Sequence, residues 1–397
     1  MRYKIETEQE NLFDVSIVIA MRVRVEGELI FEQLEKAFTK AVASHEILNS
    51  KIIIEDNGDA YYVDCEKPLS SFKETLLGFE ELINANEGIR FRIEEGEYIR
   101  GFLSPDGLVF LMHHMGGDGK SLLYFIETFM NMLAGEEMQK VAFENLPVSA
   151  LPKDSELSRL YKSFVKFWNK RWAKQKRVFT FADMDKAYRV FWNDHKTKTV
   201  VDEYSADTLK ELLAKSKEAG CTLTSYLVAL WIKDMPYKAD VGFAVDGRLT
   251  ENRSMGNFAT GIHIDYKYNS KLSVGKNAVM INRLMKKKIS DPKAKYIVIN
   301  FIGSIDPSLI DTLSLEAAGV YHTRFTGMFA DIMNYGPNVK KKDLSISNLM
   351  RADIRTDYGD YRIKDIAFVP PVVSYGENII GIITVNDTMI VTRHVYE

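Results

Sequence analysis

An apolar run, Leu108-Val109-Phe110-Leu111-Met112, stops at His113-His114-Met115-Gly116-Gly117-Asp118-Gly119-Lys120-Ser121. Gly107 to Met112 reads as an apolar strand running into this turn. The glycines after it free the backbone for a sharp bend. Beyond them, Lys120 to Leu133 carries apolar residues at helical spacing. The chain thus commits here to strand, tight turn and helix, with titratable side chains gathered on the turn. Such a turn holds side chains over a cleft on a rigid frame.

Similar punctuation organises the rest. Asp14 to Val25, rich in β-branched residues, predicts a strand. Glu28 to Leu48 predicts an amphipathic helix through Leu29, Phe31, Leu34, Phe38, Val42 and Ile47. Hairpins are expected across Asp56-Asn57-Gly58-Asp59 and Ser104-Pro105-Asp106-Gly107. Ala142 to Pro152 reads as a linker. Asp154 to Val178 follows, basic, with Leu157, Leu160, Tyr161, Phe164, Trp168 and Trp172 at helical spacing. Ser205 caps a helix over Ala206 to Ala219 that Gly220 stops, and Thr222 or Thr224 opens another through Ile232. Ala239 to Val245 and Phe258 to Tyr268 predict strands, Lys271 to Ile289 a helix, and Tyr296 to Ile302 a buried strand. Ile363 to Phe368, Ile379 to Val385 and Met389 to Val395 predict three more strands, the last two joined through Asn386-Asp387. The expected fold class is α/β with mixed sheets. The expected division is 1–150, a linker with a basic aromatic helix over 151–179, and 180–397.

At 397 residues the chain can bury two cores of ordinary size. A net charge of −3 argues against nucleic acid as a partner by bulk electrostatics. Cys65 and Cys221 make neither a metal-ligand cluster nor a disulfide framework, so no metal is expected and a reducing cytosol fits. The start, MRYKIETEQENLFDV, is too polar for a signal peptide, and no apolar run approaches the roughly 20 residues of a membrane span. A cytoplasmic protein is expected.

A histidine can take a proton at neutral pH and return it, the work of a general acid–base worth about 10²–10⁴ in rate. Adjacent residues on a strand end point to opposite sides. One of His113 and His114 therefore faces a given cleft while the other holds the turn. Asp118 can either orient the imidazole or hold the turn through an ion pair, and the residues alone leave both open. Gly119-Lys120-Ser121 invites comparison with a phosphate loop, but that loop needs glycine at position 114, where histidine stands. His45, His195, His263, His322 and His394 are scattered and are expected to be structural or exposed.

His113-His114-Met115-Gly116-Gly117-Asp118-Gly119 matches the HHxxxDG signature and so resembles the chloramphenicol acetyltransferase-like superfamily. That superfamily includes nonribosomal-peptide condensation domains, alcohol O-acetyltransferases and polyketide-associated acyltransferases. Val241 to Arg248 resembles its strand ending in arginine, Gly256-Asn257-Phe258 its Gly-Asn-Phe element, and Ser347-Asn348-Leu349 its late Ser-Asn-Leu element. The resemblance spans nearly the whole chain. It implies two similar α/β domains in a V with a tunnel between them. It implies an acyltransferase in which His114 is the general base. His113, Asp118, Gly119 and Arg248 are then structural, with Asp118 paired to Arg248. Asn348 or Ser345 would contact the oxyanion or substrate. The donor implied is a thioester, acyl-coenzyme A as co-substrate rather than a resident cofactor, and the acceptor a small hydroxyl or amine compound.

Two rivals stand beside this. A stand-alone condensation-type enzyme would take substrates tethered to a carrier protein. A non-catalytic descendant would bind a ligand or partner on the same scaffold. For the basic segment Asp154 to Val178, packing of the aromatic stripe on the protein is favoured over contact with an anionic membrane surface. The lysine runs at Lys286-Lys287-Lys288 and Lys340-Lys341-Lys342 are expected to be solvated.

Overall fold

The run Leu108–Met112 becomes the interior of a central strand, each of its side chains 0–1% exposed. In this computed structural model, which describes residues 1–397 except 138, 337–339, 373–375 and 377, the strand Gly107–His113 lies between Val18–Glu26 and Ile99–Ser104. Both pairings are antiparallel, with Val18 opposite His113 and Ile99 opposite Met112. A turn at Pro105-Asp106 joins the last two strands.

Among the described residues there are two six-stranded sheets and one three-stranded sheet. The first large sheet runs Asp357–Tyr358, Tyr361–Val369, Val18–Glu26, Gly107–His113, Ile99–Ser104 and Ser71–Glu74. The second runs Ala259–Tyr266, Ala239–Asp246, Leu344–Arg351, Ile379–Val385, Thr388–Tyr396 and Thr197–Tyr204. Leu344–Arg351 is parallel to both its neighbours and the other pairings of that sheet are antiparallel, so the sheet is mixed. The small sheet joins Arg2–Lys4 to the hairpin of Ser50–Ile54 and Ala60–Asp64.

The halves of the sequence are interleaved. Tyr361–Val369 leaves the second half and pairs along Val18–Glu26, from Arg362 opposite Glu26 to Val369 opposite Ala20. The register shifts between Ile363 and Asp365, and the carboxylate of Asp365, opposite Arg24, takes Arg24 Nε at 2.7 and 2.9 Å. The larger core accordingly draws on residues from Ile5 to Ile390, while a second core sits on the second sheet.

Helix termini follow local chemistry. Ser205 caps Ala206–Ala219 and Gly220, at φ 77°, ends it. Thr222 caps Leu223–Trp231. The expected buried strand over Tyr296 to Ile302 is instead a helix, Pro292–Ile302. Asp291 caps it and Pro292 occupies its first turn, where a missing N–H costs nothing. Tyr296, Ile299 and Asn300 are buried while Val298 is 42% exposed, a helical rather than an alternating pattern. The helix Phe181–Asp194, opened by the Thr180–Asp183 capping box, has no counterpart in the sequence-based expectation. The first long strand starts at Val18 rather than Asp14, because Asp14 Oδ1 accepts from Ser16 N and Oγ and turns the chain away from the sheet.

Candidate active site

The strand Gly107–His113 passes through a 3-10 turn, His114–Gly116, into the helix Gly119–Leu133. His113 N donates to Tyr98 O at 2.9 Å and His114 N to Ile17 O at 3.0 Å, so neighbouring strand ends hold the corner from both sides. Gly117 sits at φ 145°, and a Cβ there would lie 2.5 Å from Ser121 Cβ. The bend thus requires glycine.

The two imidazoles part company at this corner. His113 is buried against the Phe91 ring, and its Nδ1 accepts from Met115 N at 3.2 Å. Burial, reinforced by His114, Arg90 and Arg100, pushes its pKa down to about 3, so the ring is neutral. His114 is half-buried. Its Nδ1 is sealed from solvent and has no partner of hydrogen-bonding geometry among the described residues, so what exposure the residue keeps lies elsewhere. Burial lowers the pKa of His114, against the opposing influence of the Asp118 charge and of its own backbone carbonyl. A lowered pKa leaves the imidazole in its proton-accepting form at neutral pH.

Asp118 turns its carboxylate away from the imidazole. Its Oδ1 accepts from Ser121 N at 2.8 Å, Ser121 Oγ at 3.0 Å and Arg248 Nη2 at 3.2 Å. Its Oδ2 accepts from Arg248 Nη1 at 3.0 Å and Phe258 N at 3.1 Å. It also caps the helix Gly119–Leu133, whose N-terminal dipole favours an anion. The Arg248 side chain is 5% exposed, bonds Asp246 Oδ1 at 3.2 Å and lies 4.4 Å over the Phe258 ring. Its positive charge is reinforced by Asp118 and Asp246 against the cost of burial. Ser121 Oγ completes the knot, 2.8 Å from Gly256 O and 3.2 Å from Arg248 Nη2. The motif helix is thereby clamped to the loop 247–258 of the second half.

Gly119 faces another junction. A Cβ there would meet Phe368 at 3.0 Å and Leu349 at 3.2 Å. The end of the strand Leu344–Arg351 therefore reaches the start of the motif helix. Next to Leu349, Asn348 donates from Nδ2 to Thr224 Oγ1 at 2.8 Å and accepts from Met350 N at 2.7 Å. One amide N–H of Asn348 remains beyond these bonds. Ser345 and Asn348 are an odd number of residues apart, so they address opposite faces of the strand.

No family model matches the chain. Over 213 residues, about half of this chain, it is 21% identical to the fusarin C synthetase of Gibberella moniliformis, and the match spans 5% of that protein's length. Solved structures resemble it along its whole length. The first condensation domain of the calcium-dependent antibiotic synthetase, in complex with a substrate analogue, gives a TM-score of 0.64 at 13% identity and covers 100% of this chain and 91% of that one. The starter condensation domain of rhizomide synthetase, a mutant in complex with C8-CoA, gives 0.63 at 11% identity, covering 100% and 89%. Polyketide synthase associated protein 5 from Mycobacterium tuberculosis gives 0.59 at 14%, covering 99% and 92%. The chain has the condensation-domain fold. That two-lobed architecture is chloramphenicol acetyltransferase-like, with mixed sheets in both lobes.

Within the condensation fold, three parts of the corner make contacts that no sequence signal announced. Ser121 stands three residues after Asp118, a capping spacing that marks a helix start but not a contact with Gly256. Phe258 N reaches Asp118 only through the fold. Glu8 is the third. Its carboxyl lies in the core under the motif, accepting at Oε1 from Tyr62 OH at 2.9 Å, while Tyr62 OH is also 2.9 Å from Met115 O. Burial pushes the Glu8 pKa up to about 8, and its Oε2 is buried without a partner among the described residues.

Elsewhere in the condensation fold, His263 and Asp265 on the edge strand Ala259–Tyr266 and Asp240 on the neighbouring strand Ala239–Asp246 bring ligand atoms together. Lys342 Nζ lies 3.4 Å from Asp240 and Lys238 Nζ 3.3 Å from Asp265, so lysines already balance the carboxylates a cation would need.

Proposed function

We propose that the chain is an acyltransferase moving an acyl group from a thioester, acyl-coenzyme A in the first instance, to a hydroxyl or amine. One observation carries this. The fold commits Asp118 to Arg248, Ser121 and Phe258 without a bond to His114, and leaves His114, half-buried at the corner, as a neutral imidazole.

His114 would accept the proton of the acceptor O–H or N–H as its heteroatom attacks the thioester carbonyl. The carbonyl π pair moves to oxygen, and the remaining N–H of Asn348 would be the donor for that charge. As the oxyanion collapses, the C–S bond breaks and the imidazolium returns its proton to the leaving thiolate. The acceptor is acylated, a free thiol is released, and no acyl-enzyme forms. Asp118, Arg248 and Gly119 would position the corner rather than touch substrate.

A second arrangement, in which a carrier protein presents the thioester, is favoured by the likeness to synthetase domains. Thiol release measured across acyl-coenzyme A lengths with hydroxyl and amine acceptors tests the first, and the same acyl groups on a carrier test the second. His114→Ala is the control. Thiol release that is acceptor-dependent and lost in His114→Ala supports acyl transfer. Release unaffected by His114→Ala removes the histidine from the chemistry, and no release from either donor leaves the non-catalytic rival.

A further inference from the structure

The helix Arg159–Trp172 buries one stripe and leaves a second bare. Val165, Trp168 and Trp172 are buried; Trp168 packs on Phe325 and Phe329 at 4.8 and 5.0 Å, and Trp172 Nε1 donates to Ser308 Oγ at 2.9 Å. That is the packing expected of an aromatic stripe, but it does not account for the rest of the apolar residues. Leu160 is 84% exposed and Phe167 50%. Leu160, Phe167 and Arg171 recur at i, i+7 and i+11, which keeps them within an arc of about 40° on a regular helix. Arg171 lies 4.8 Å over the Phe167 ring, so the cation and the apolar surface share one flank.

The charge of this region is set apart from that of the chain. Between Leu157 and Ala182 there is no Asp or Glu, although the whole chain carries −3. Lys162, Lys176 and Arg177 find carboxylates at Glu156, Asp306 and Asp183. Arg159, Lys166, Lys170, Arg171 and Lys174 are exposed, and none makes an ion pair among the described residues. Like charges concentrated on one helix repel one another unless an anionic surface meets them.

We propose that this flank docks on an anionic lipid surface, with Leu160 and Phe167 entering the headgroup layer and the cations meeting lipid phosphates and carboxylates. A lipid interface stabilises both halves of the pattern at once, apolar side chains by burial and cations by the surface potential. The apolar residues stand about two turns apart with cations between and beyond them, a spacing suited to a plane. An acidic protein would satisfy the charges and leave Leu160 unexplained. The docking is independent of the reaction proposed above, and its test reads binding alone.

The test is co-sedimentation of the full chain with phosphatidylcholine/phosphatidylserine vesicles, against phosphatidylcholine alone, at low and high salt. Binding is expected to the anionic vesicles, to weaken with salt, and to be absent with phosphatidylcholine. Replacing Lys170, Arg171 and Lys174 by alanine is expected to lower partitioning on the order of 100-fold. Leu160→Ser with Phe167→Ser is expected to lower it at any salt. Unchanged melting temperatures confirm that both variants are folded, since every altered side chain is exposed. The proposal is overturned by failure to bind anionic vesicles at low salt, or by binding that either variant leaves intact. Capture by poly-glutamate that matches the vesicles and survives loss of Leu160 and Phe167 also overturns it, and assigns the surface to an acidic protein.

Discussion

Asp118 and Arg248, 130 residues apart, meet through two hydrogen bonds of 3.0 and 3.2 Å, with both side chains more than nine-tenths buried. The carboxylate caps the motif helix and the guanidinium anchors the loop that carries Gly256 and Phe258. One ion pair thus joins the start of the helix after the motif to the second half of the chain. Asp118 Oδ1 and Oδ2 between them accept five hydrogen bonds, none from His114.

Loss of one partner leaves the other buried and uncompensated. Arg248→Ala is therefore expected to destabilise the fold by about 3–5 kcal/mol, read by guanidinium unfolding. Arg248→Lys keeps the charge and loses the two-pronged geometry, so it should fall between wild type and alanine. The double variant Asp118→Ala/Arg248→Ala should cost less than the sum of the singles. Additive losses would show that the two side chains act separately.

His114→Ala removes no hydrogen bond from Nδ1, so folding should survive while transfer falls by about 10²–10⁴. The pH profile adds a sign. The base must be unprotonated, and burial lowers its pKa below the usual 6.5. The acid limb of kcat/KM should thus lie below pH 6.5, activity falling as pH drops through the lowered value. A limb at or above 6.5 would assign the titration to another group.

Local structure at the motif was legible because its causes are local. A five-residue apolar run, glycines and a capping aspartate fix strand, bend and helix without help from afar. Ser205 and Gly220 bound their helix for the same reason. The run Tyr296-Ile297-Val298-Ile299 misled because β-branched residues look alike in a buried strand and a buried helix; the Asp291-Pro292 start was the signal to weigh more heavily. The passage of Tyr361–Val369 into the first sheet was not legible, since no local feature of a strand names its partner. The Asp118–Arg248 contact was reached only through resemblance, because spacing alone left two roles open for Asp118. Ser121, Phe258 and Glu8 join the corner through long-range packing, and Asn348 is turned by Thr224, a contact that no sequence pattern had marked.

Two of the three motif glycines, Gly117 and Gly119, should respond differently to alanine. At Gly117 a methyl group meets Ser121 Cβ at 2.5 Å and the backbone is at φ 145°. Gly117→Ala is expected to cost roughly 1–3 kcal/mol in strain and to disturb the His114 turn. Gly119 opens the helix, where alanine is the better helix former by about 1 kcal/mol. Its new methyl meets only side-chain atoms of Phe368 and Leu349 at 3.0–3.2 Å, which must shift by a few tenths of an ångström. Gly119→Ala should therefore come out near neutral. Thermal unfolding compares them, and equal losses would show that crowding rather than backbone conformation governs the corner.

Glu8 makes stability depend on pH in a direction opposite to that of a salt-bridged carboxylate. Burial raises its pKa from the usual 4.5 to about 8 in the folded chain. Between these values the folded chain holds a proton that the unfolded chain has released. The stability that this group contributes is present in full below pH 4.5 and is lost as pH rises towards 8. The slope is about 1.4 kcal/mol for each pH unit while only the folded form is protonated. Glu8→Gln is neutral at every pH and keeps an acceptor for Tyr62 OH. Its stability relative to wild type should grow between pH 5 and 8, to a few kcal/mol in all, and level off above. Urea unfolding of the two proteins at successive pH values measures the difference. Parallel stability curves would mean that Glu8 titrates normally and that its burial is relieved by solvent.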